Sequence, residues 1–270
     1  KEMAKTSDFH KSEMLGYLIS KVGRFVENSM MRNIVGQPKS SFNFRDVMDS
    51  GKILLVNLAK GKVGEMNAKL IGLILVSKIQ MAAMSRADIP EDQRRDFYLY
   101  VDEFQNFITD AFSSILSEAR KYKLNLIIGH QFLGQLEQGA GAQGAGSKDL
   151  RDAVFGNTGS MVTFRIGVED AETMAKEFAP VFNDFDLLNV DRYNAFAKLM
   201  INGTASKPFN MATYPLDKPT AEQKATGEAI RQLSRLKFGR SRVEVESEIL
   251  EASNIADMMA AGQATTEKTL

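Results

Sequence analysis

Two segments constrain the fold more than anything else in the chain. Phe97-Tyr-Leu-Tyr-Val101 and Leu124-Asn-Leu-Ile-Ile-Gly129 are apolar runs of strand length that stop abruptly at polar residues. Lys52-Ile-Leu-Leu-Val-Asn57 has the same form and is expected as a further strand. A strand apolar on both faces needs cover on both, which a parallel sheet flanked by helices supplies. Helical stripes fill the intervals. Met14, Leu15, Leu18, Ile19, Val22, Phe25, Val26 and Met30 recur at steps of three and four, predicting a helix over 11–31 that Gly36-Gln37-Pro38 ends. Residues 65–84 read as a long, mostly buried helix and 108–122 as the helix between the two defining strands. This alternation predicts parallel βαβ units and an α/β fold.

Further along, a short turn is expected around Leu133, helices at 149–155, 169–179 and 184–190, and strands at 161–166 and 195–201. The expected sheet has about five or six strands. Between Gln138 and Ser147 the composition collapses to Gly, Ala and Gln, which predicts a surface loop. From Leu216 onward the chain turns polar and helical. The expected organisation is a helical segment at 1–40, an α/β core at 41–215 and a helical, partly flexible tail at 216–270.

Composition removes whole classes of chemistry. Among 270 residues there is no cysteine and there are only two histidines, His10 and His130, which excludes disulfides, thiolate nucleophiles and zinc sites of the Cys/His type. Carboxylate, arginine and lysine chemistry remain. Lys+Arg and Asp+Glu balance at 34 each, so no face need be coated with one charge. The longest apolar run, Leu70 to Val76, falls short of the ~20 residues of a membrane span, so no crossing is expected. The chain begins at Lys1 with no apolar signal-like stretch and reads as part of a longer polypeptide.

In open parallel sheets, ligands bind beyond the carboxyl ends of the strands. The residues there are Asn57, Asp102-Glu103 and His130-Gln131. An apolar strand ending in two acids has the form of a Walker B segment of a P-loop NTPase. The first carboxylate would hold Mg²⁺ and the second would orient or deprotonate a water. The other reading is that Asp-Glu does no more than favour the start of the next helix. Gln131 either senses a γ-phosphate from the neighbouring strand end or is a solvated terminus. Arg120 either meets the dipole at a helix C-terminus or points out of the subunit as an arginine finger.

The stretches Phe97-Tyr-Leu-Tyr-Val-Asp-Glu-Phe-Gln-Asn-Phe107, Ser117-Glu-Ala-Arg-Lys-Tyr122, Asn125-Leu-Ile-Ile-Gly-His-Gln131 and Arg151-Asp-Ala-Val-Phe-Gly-Asn157 resemble the HerA/FtsK superfamily. Within it the chain is most similar to the TraG/TraD-like conjugative coupling proteins of type IV secretion. The resemblance covers residues 42–213. It implies a RecA-like P-loop NTPase core that uses ATP and Mg²⁺, assembles as a hexamer and moves DNA through a ring pore. It also implies secretion-channel and relaxosome partners, and a location in the cytoplasm or at the cytoplasmic face of the inner membrane through a segment outside this chain. By the same resemblance Asp102 and Glu103 match the Walker B pair, with Asp102 the metal ligand. Arg120 matches the trans arginine finger and Gln131 the glutamine of the following strand. The family's G-x-x-x-x-G-K-[ST] loop is absent. Gly141-Ala-Gln-Gly-Ala-Gly146-Ser-Lys148 does not replace it, because Ser147 separates Gly from Lys and no apolar strand leads in. The expectation is therefore the C-terminal half of a motor core, inactive alone. The alternatives are a docking or ring subunit without catalysis, and a secretion or pilus-assembly ATPase that moves protein.

Secondary candidates carry two readings each. Arg165 is an interface arginine near nucleotide or a structurally paired one. Asn157 approaches nucleotide or occupies an ordinary turn. Lys60 and Lys62 follow the 52–57 run and either approach phosphate or are merely solvated. Arg231, Arg235, Lys237, Arg240 and Arg242 contact nucleic acid or lipid, or pair with the acids that follow them. His130 reads as a packed histidine, and the fourteen methionines as core filling.

Overall fold

The computed structural model describes residues 16–17, 22–23, 25–107, 115–138 and 146–252. In chain order it contains α1 (Ser29–Val35), α2 (Phe44–Asp49), α3 (Lys60–Val63), α4 (Glu65–Met84), β1 (Phe97–Val101), β2 (Leu124–Ile128), α5 (Gly134–Gln138) and α6 (Gly146–Asn157). Then come β3 (Met161–Thr163), α7 (Val168–Phe178), α8 (Asp184–Leu188), β4 (Asn194–Lys198), β5 (Met200–Ile201), β6 (Thr204–Ala205), β7 (Phe209–Ala212), α9 (Ala221–Phe238) and α10 (Arg242–Ala252). The chain divides into two units, Asn43–Lys218 and a second built from Lys1–Phe42 with Pro219–Leu270.

In the larger unit β1 and β2 pair in parallel, with Phe97 opposite Leu124 and Val101 opposite Ile128, so both strands end at the same edge. β3, β4 and β7 form a separate antiparallel sheet in the order β3-β4-β7. The strands are thus divided among three small sheets, where the sequence predicts one. The third is the hairpin β5–β6, closed by Asn202-Gly203 with φ of 50° and 79°. Two left-handed central residues form the tight two-residue turn whose twist matches the flanking strands, and Asn-Gly is a pair that favours it.

α4 buries Ala68, Gly72, Val76, Ile79 and Ala83, which recur at steps of three and four and so line one face. Gly72 has a packing role, because a Cβ there would lie 2.2 Å from the Phe107 ring. By length and composition the helical stretch Glu65–Asp88 would suffice to cross a membrane. Here its buried face belongs to a core that also holds Phe104, Leu136, Phe178 and Leu187.

Several expectations are corrected. Residues 52–57 form no strand and join no sheet among the described residues, and Ile53 and Leu55 are exposed. Without a neighbouring backbone to bond, an apolar run forms no ladder. β1 is covered on one face, since Tyr98 and Tyr100 point outward while Val101 is buried. The helix expected over 11–31 breaks at Asn28, whose side chain accepts from Met31 N and restarts the helix as α1. Competition of a short polar side chain for backbone N–H groups causes such breaks. Of the 108–122 helix, 108–114 lie outside the described residues, 115–118 are helical and Ala119–Tyr122 form a 3₁₀ turn. Most of the Gly/Ala/Gln loop also lies outside them, but Gly146 and Ser147 belong to α6.

In the smaller unit, Asn33 Nδ2 donates to Glu246 Oε1 at 2.9 Å, and the rings of Phe42 and Phe238 meet edge to face. α9 begins with a reciprocal cap between Thr220 and Gln223.

Candidate active site

Backbone bonds place the site before any side chain does. Gly129 N donates to Val101 O at 2.9 Å and Phe104 N donates to Gly129 O at 3.1 Å, so the ladder continues past the ends of β1 and β2. Between these bonds Glu103 takes a left-handed φ of 51°. A non-glycine residue pays about 1–2 kcal/mol for that conformation, and such residues cluster where geometry serves function. The turn directs the Glu103 carboxylate toward the end of β2.

There both its oxygens are taken by side-chain amides. Gln131 Nε2 donates to Glu103 Oε1 at 2.6 Å and Gln105 Nε2 donates to Oε2 at 2.6 Å. Asp102 Oδ1 accepts from Glu103 N at 3.0 Å, and the rest of this exposed carboxylate faces outward. Helix-capping acids accept from backbone N–H groups two or three residues on. Neither acid does so among the described residues, and the start of the helix expected over 108–122 lies outside them. Asp102, Glu103 and Gln131 therefore come together as the sequence predicts, and Gln105 joins them unannounced.

Behind the loop His130 packs its ring edge-on to Phe104, with centroids 5.8 Å apart. Burial pushes the imidazole below its ordinary range, opposed by the Phe132 backbone and by the charges of Asp170 and Glu103. The 131–135 turn is fixed at two points. Gln135 Oε1 accepts from Gln131 N at 3.3 Å, and buried Asp170, in the first turn of α7, accepts from Leu133 N at 3.0 Å through Oδ2.

Arg120 is exposed on the Ala119–Tyr122 turn and forms no ion pair among the described residues. Two other arginines hold that turn. Arg86, fully buried, donates to Tyr122 O at 2.9 Å and to Arg95 O; its Nε lies 3.0 Å from Asp49 Oδ1, ion-pair range, though the N–H is not aimed at that oxygen. Arg94 donates to Lys121 O and stacks over the Tyr122 ring. Sequence reasoning missed both, although Arg86 extends the buried stripe Val76, Ile79, Ala83 by one step of three.

The remaining candidates separate from this cluster. Asn157 commits its amide to Ala153 O at 2.8 Å, at the end of α6. Arg165 is exposed beyond β3. Lys60 pairs with Glu65 at 2.9 Å. In the basic stretch, Arg240 pairs with Glu248 and Arg242 with Glu246, as the self-pairing reading expects, whereas Arg231 pairs with Glu228, which precedes it.

No protein-family description matches the chain, and no curated protein matches it. Among solved structures, the plasmid coupling protein TrwB in complex with ADP and Mg²⁺ superposes with a TM-score of 0.56 at 16% identity, over 80% of this chain and 52% of that one. The trigonal form of the bacterial conjugative coupling protein TrwBdeltaN70 with sulphate gives 0.50 at 15% identity, over 68% and 46%. The chain has the fold of a conjugative coupling protein. That fold is the RecA-like α/β architecture the resemblance implies. The chain spans about half the length of these coupling proteins.

Proposed function

We propose that this chain is the Walker B-bearing half of an ATP-driven, DNA-translocating motor of conjugation or type IV secretion. The observation that carries the proposal is the Glu103 carboxylate, clasped by Gln131 and Gln105 at the shared carboxyl edge of two parallel strands. In this reading Glu103 orients and deprotonates the attacking water, and Gln131 reports the state of the γ-phosphate to it. Asp102 is the residue to hold Mg²⁺. One exposed carboxylate with a free oxygen fits an ion that keeps several waters and takes its other ligands from phosphates, and no three-acid cluster exists among the described residues to compete. When bound, Mg²⁺ offsets negative charge on the phosphates.

Arg120 acts in trans on a neighbour's phosphates, which its exposure on a braced turn supports. The active form is accordingly a ring, taken as a hexamer by analogy with the family. Secretion-channel and relaxosome proteins are its partners, and the cytoplasm or the cytoplasmic membrane face is its place. The phosphate-gripping loop comes from outside these 270 residues. Asn157 and Arg165 are left out of this assignment.

The test is ATP turnover with and without DNA by the whole protein. Glu103→Gln should abolish turnover while nucleotide binding persists, and unchanged turnover would refute the assignment. Absence of hydrolysis in the wild-type ring would favour the non-catalytic docking subunit. Hydrolysis indifferent to DNA would favour a motor that moves protein.

A further inference from the structure

An open cleft of about 560 Å³ lies between the end of β3 and the start of β4, lined by Phe164, Arg165, Asp191, Arg192 and Tyr193 among others. It holds two exposed guanidiniums, and neither Arg165 nor Arg192 forms an ion pair among the described residues. Arg192 is stacked over the Tyr193 ring at 4.7 Å, and the residues Phe164 and Tyr193 are 53% and 43% exposed. Asp191 is the acid in the lining, so the guanidiniums outnumber it.

The backbone supplies an independent observation. Asn194 N donates to Asp191 O at 3.0 Å, closing a turn whose third residue, Tyr193, has φ of 65°. A glycine would adopt this conformation without strain. The strain is held in place from the far side, because Thr213 donates to Tyr193 O through both N and Oγ1, at 2.6 and 2.9 Å. A large aromatic kept at a glycine position, stacked with an arginine that forms no ion pair among the described residues, points to a ligand.

We propose that this cleft binds a nucleotide unit of single-stranded nucleic acid. The guanidiniums pair with phosphate oxygens in bidentate fashion, and the exposed rings provide a face for a base to stack on, a combination that tracks a strand without reading its sequence. The volume suits one such unit. The proposal rests on the motor reading for the identity of the cargo and adds a location that the Glu103 cluster does not provide.

The experiment is fluorescence anisotropy of a labelled oligothymidylate with the full chain, repeated across salt concentrations and with ATP or ADP as competitor. Arg165→Ala combined with Arg192→Ala should weaken binding by roughly ten- to a hundredfold and flatten the log–log salt slope by about 1.4, the value for two single-strand phosphate contacts. Tyr193→Gly removes the ring and relieves the backbone. It should melt no lower than wild type and still bind roughly tenfold more weakly, so loss of folding cannot account for the result. Unchanged affinity in both variants would overturn the proposal and leave the Glu103 reading standing. Failure of the wild-type chain to bind the probe would also overturn it, while the turnover test on Glu103→Gln would still decide the motor separately. Displacement of the probe by ATP, with variants defective for ATP and not for oligonucleotide, would make free nucleotide the occupant and likewise overturn it.

Discussion

Arg86→Met is expected to be among the most damaging single changes in the larger unit. Methionine preserves much of the volume and removes every donor. The loss leaves Tyr122 O and Arg95 O without their cationic partner, while Asp49 keeps its ion pair with Arg45 at 3.2 Å. Hydrogen bonds to charged groups contribute ~1.5–3 kcal/mol each, which for two carbonyls sets a ceiling near ~6. Asp49 is one-third exposed, so its charge is partly rescued by water and adds little. Some relaxation of the 3₁₀ turn lowers the total, and about 3–4 kcal/mol is the expected cost. With a urea m-value of about 2 kcal/mol/M, the midpoint should fall by roughly 1.5–2 M, followed by circular dichroism and tyrosine fluorescence. The Arg120 turn should also lose amide-exchange protection at Lys123, whose N–H bonds back to Arg120 O. A midpoint shift under about 0.5 M would show that the buried guanidinium is dispensable and that the turn stands by other means.

Two further outcomes are expected. Asp170→Ala removes the acceptor for Leu133 N and should cost ~1–3 kcal/mol and speed exchange of that amide, whereas Asp170→Asn, which keeps an oxygen there, should lose much less; equal exchange in all three proteins would refute the role of Asp170. Burial lowers the proton affinity of His130 in the fold, so the unfolded chain binds the proton more readily between the lowered value and about 6.5. Stability should therefore hold above about pH 6.5 and decline as pH falls below it. His130→Phe should remove that part of the decline in urea titrations at successive pH values, and an identical pH profile in the variant would refute it.

How much of this was legible in the sequence differs from residue to residue. The strand-end pair Asp102-Glu103 and the partner Gln131 could be read because strand length, parallel pairing and position at a carboxyl edge follow from local apolar runs. Gln105 could not, since its contact depends on the left-handed φ at Glu103, which bends the chain back on itself. The Asn-Gly hairpin at 202–203 carried a strong local signal that the broader strand expected at 195–201 obscured.

What the sequence by itself determined was the set of elements with a strong local cause: the existence of the long helix at 65–84, though not its buried face, the two apolar strands, and the helix that carries acids in the first turn of α7. Periodicity and capping act within a few residues, so they survive without knowledge of the fold. Only the tertiary structure decided that residues 52–57 stay unpaired, that the strands divide among three sheets, and that Arg86 reaches 36 residues along the chain to brace the Arg120 turn. Sheet partners and buried donors are chosen by which surfaces meet after the chain has closed long loops, and no local pattern encodes that choice.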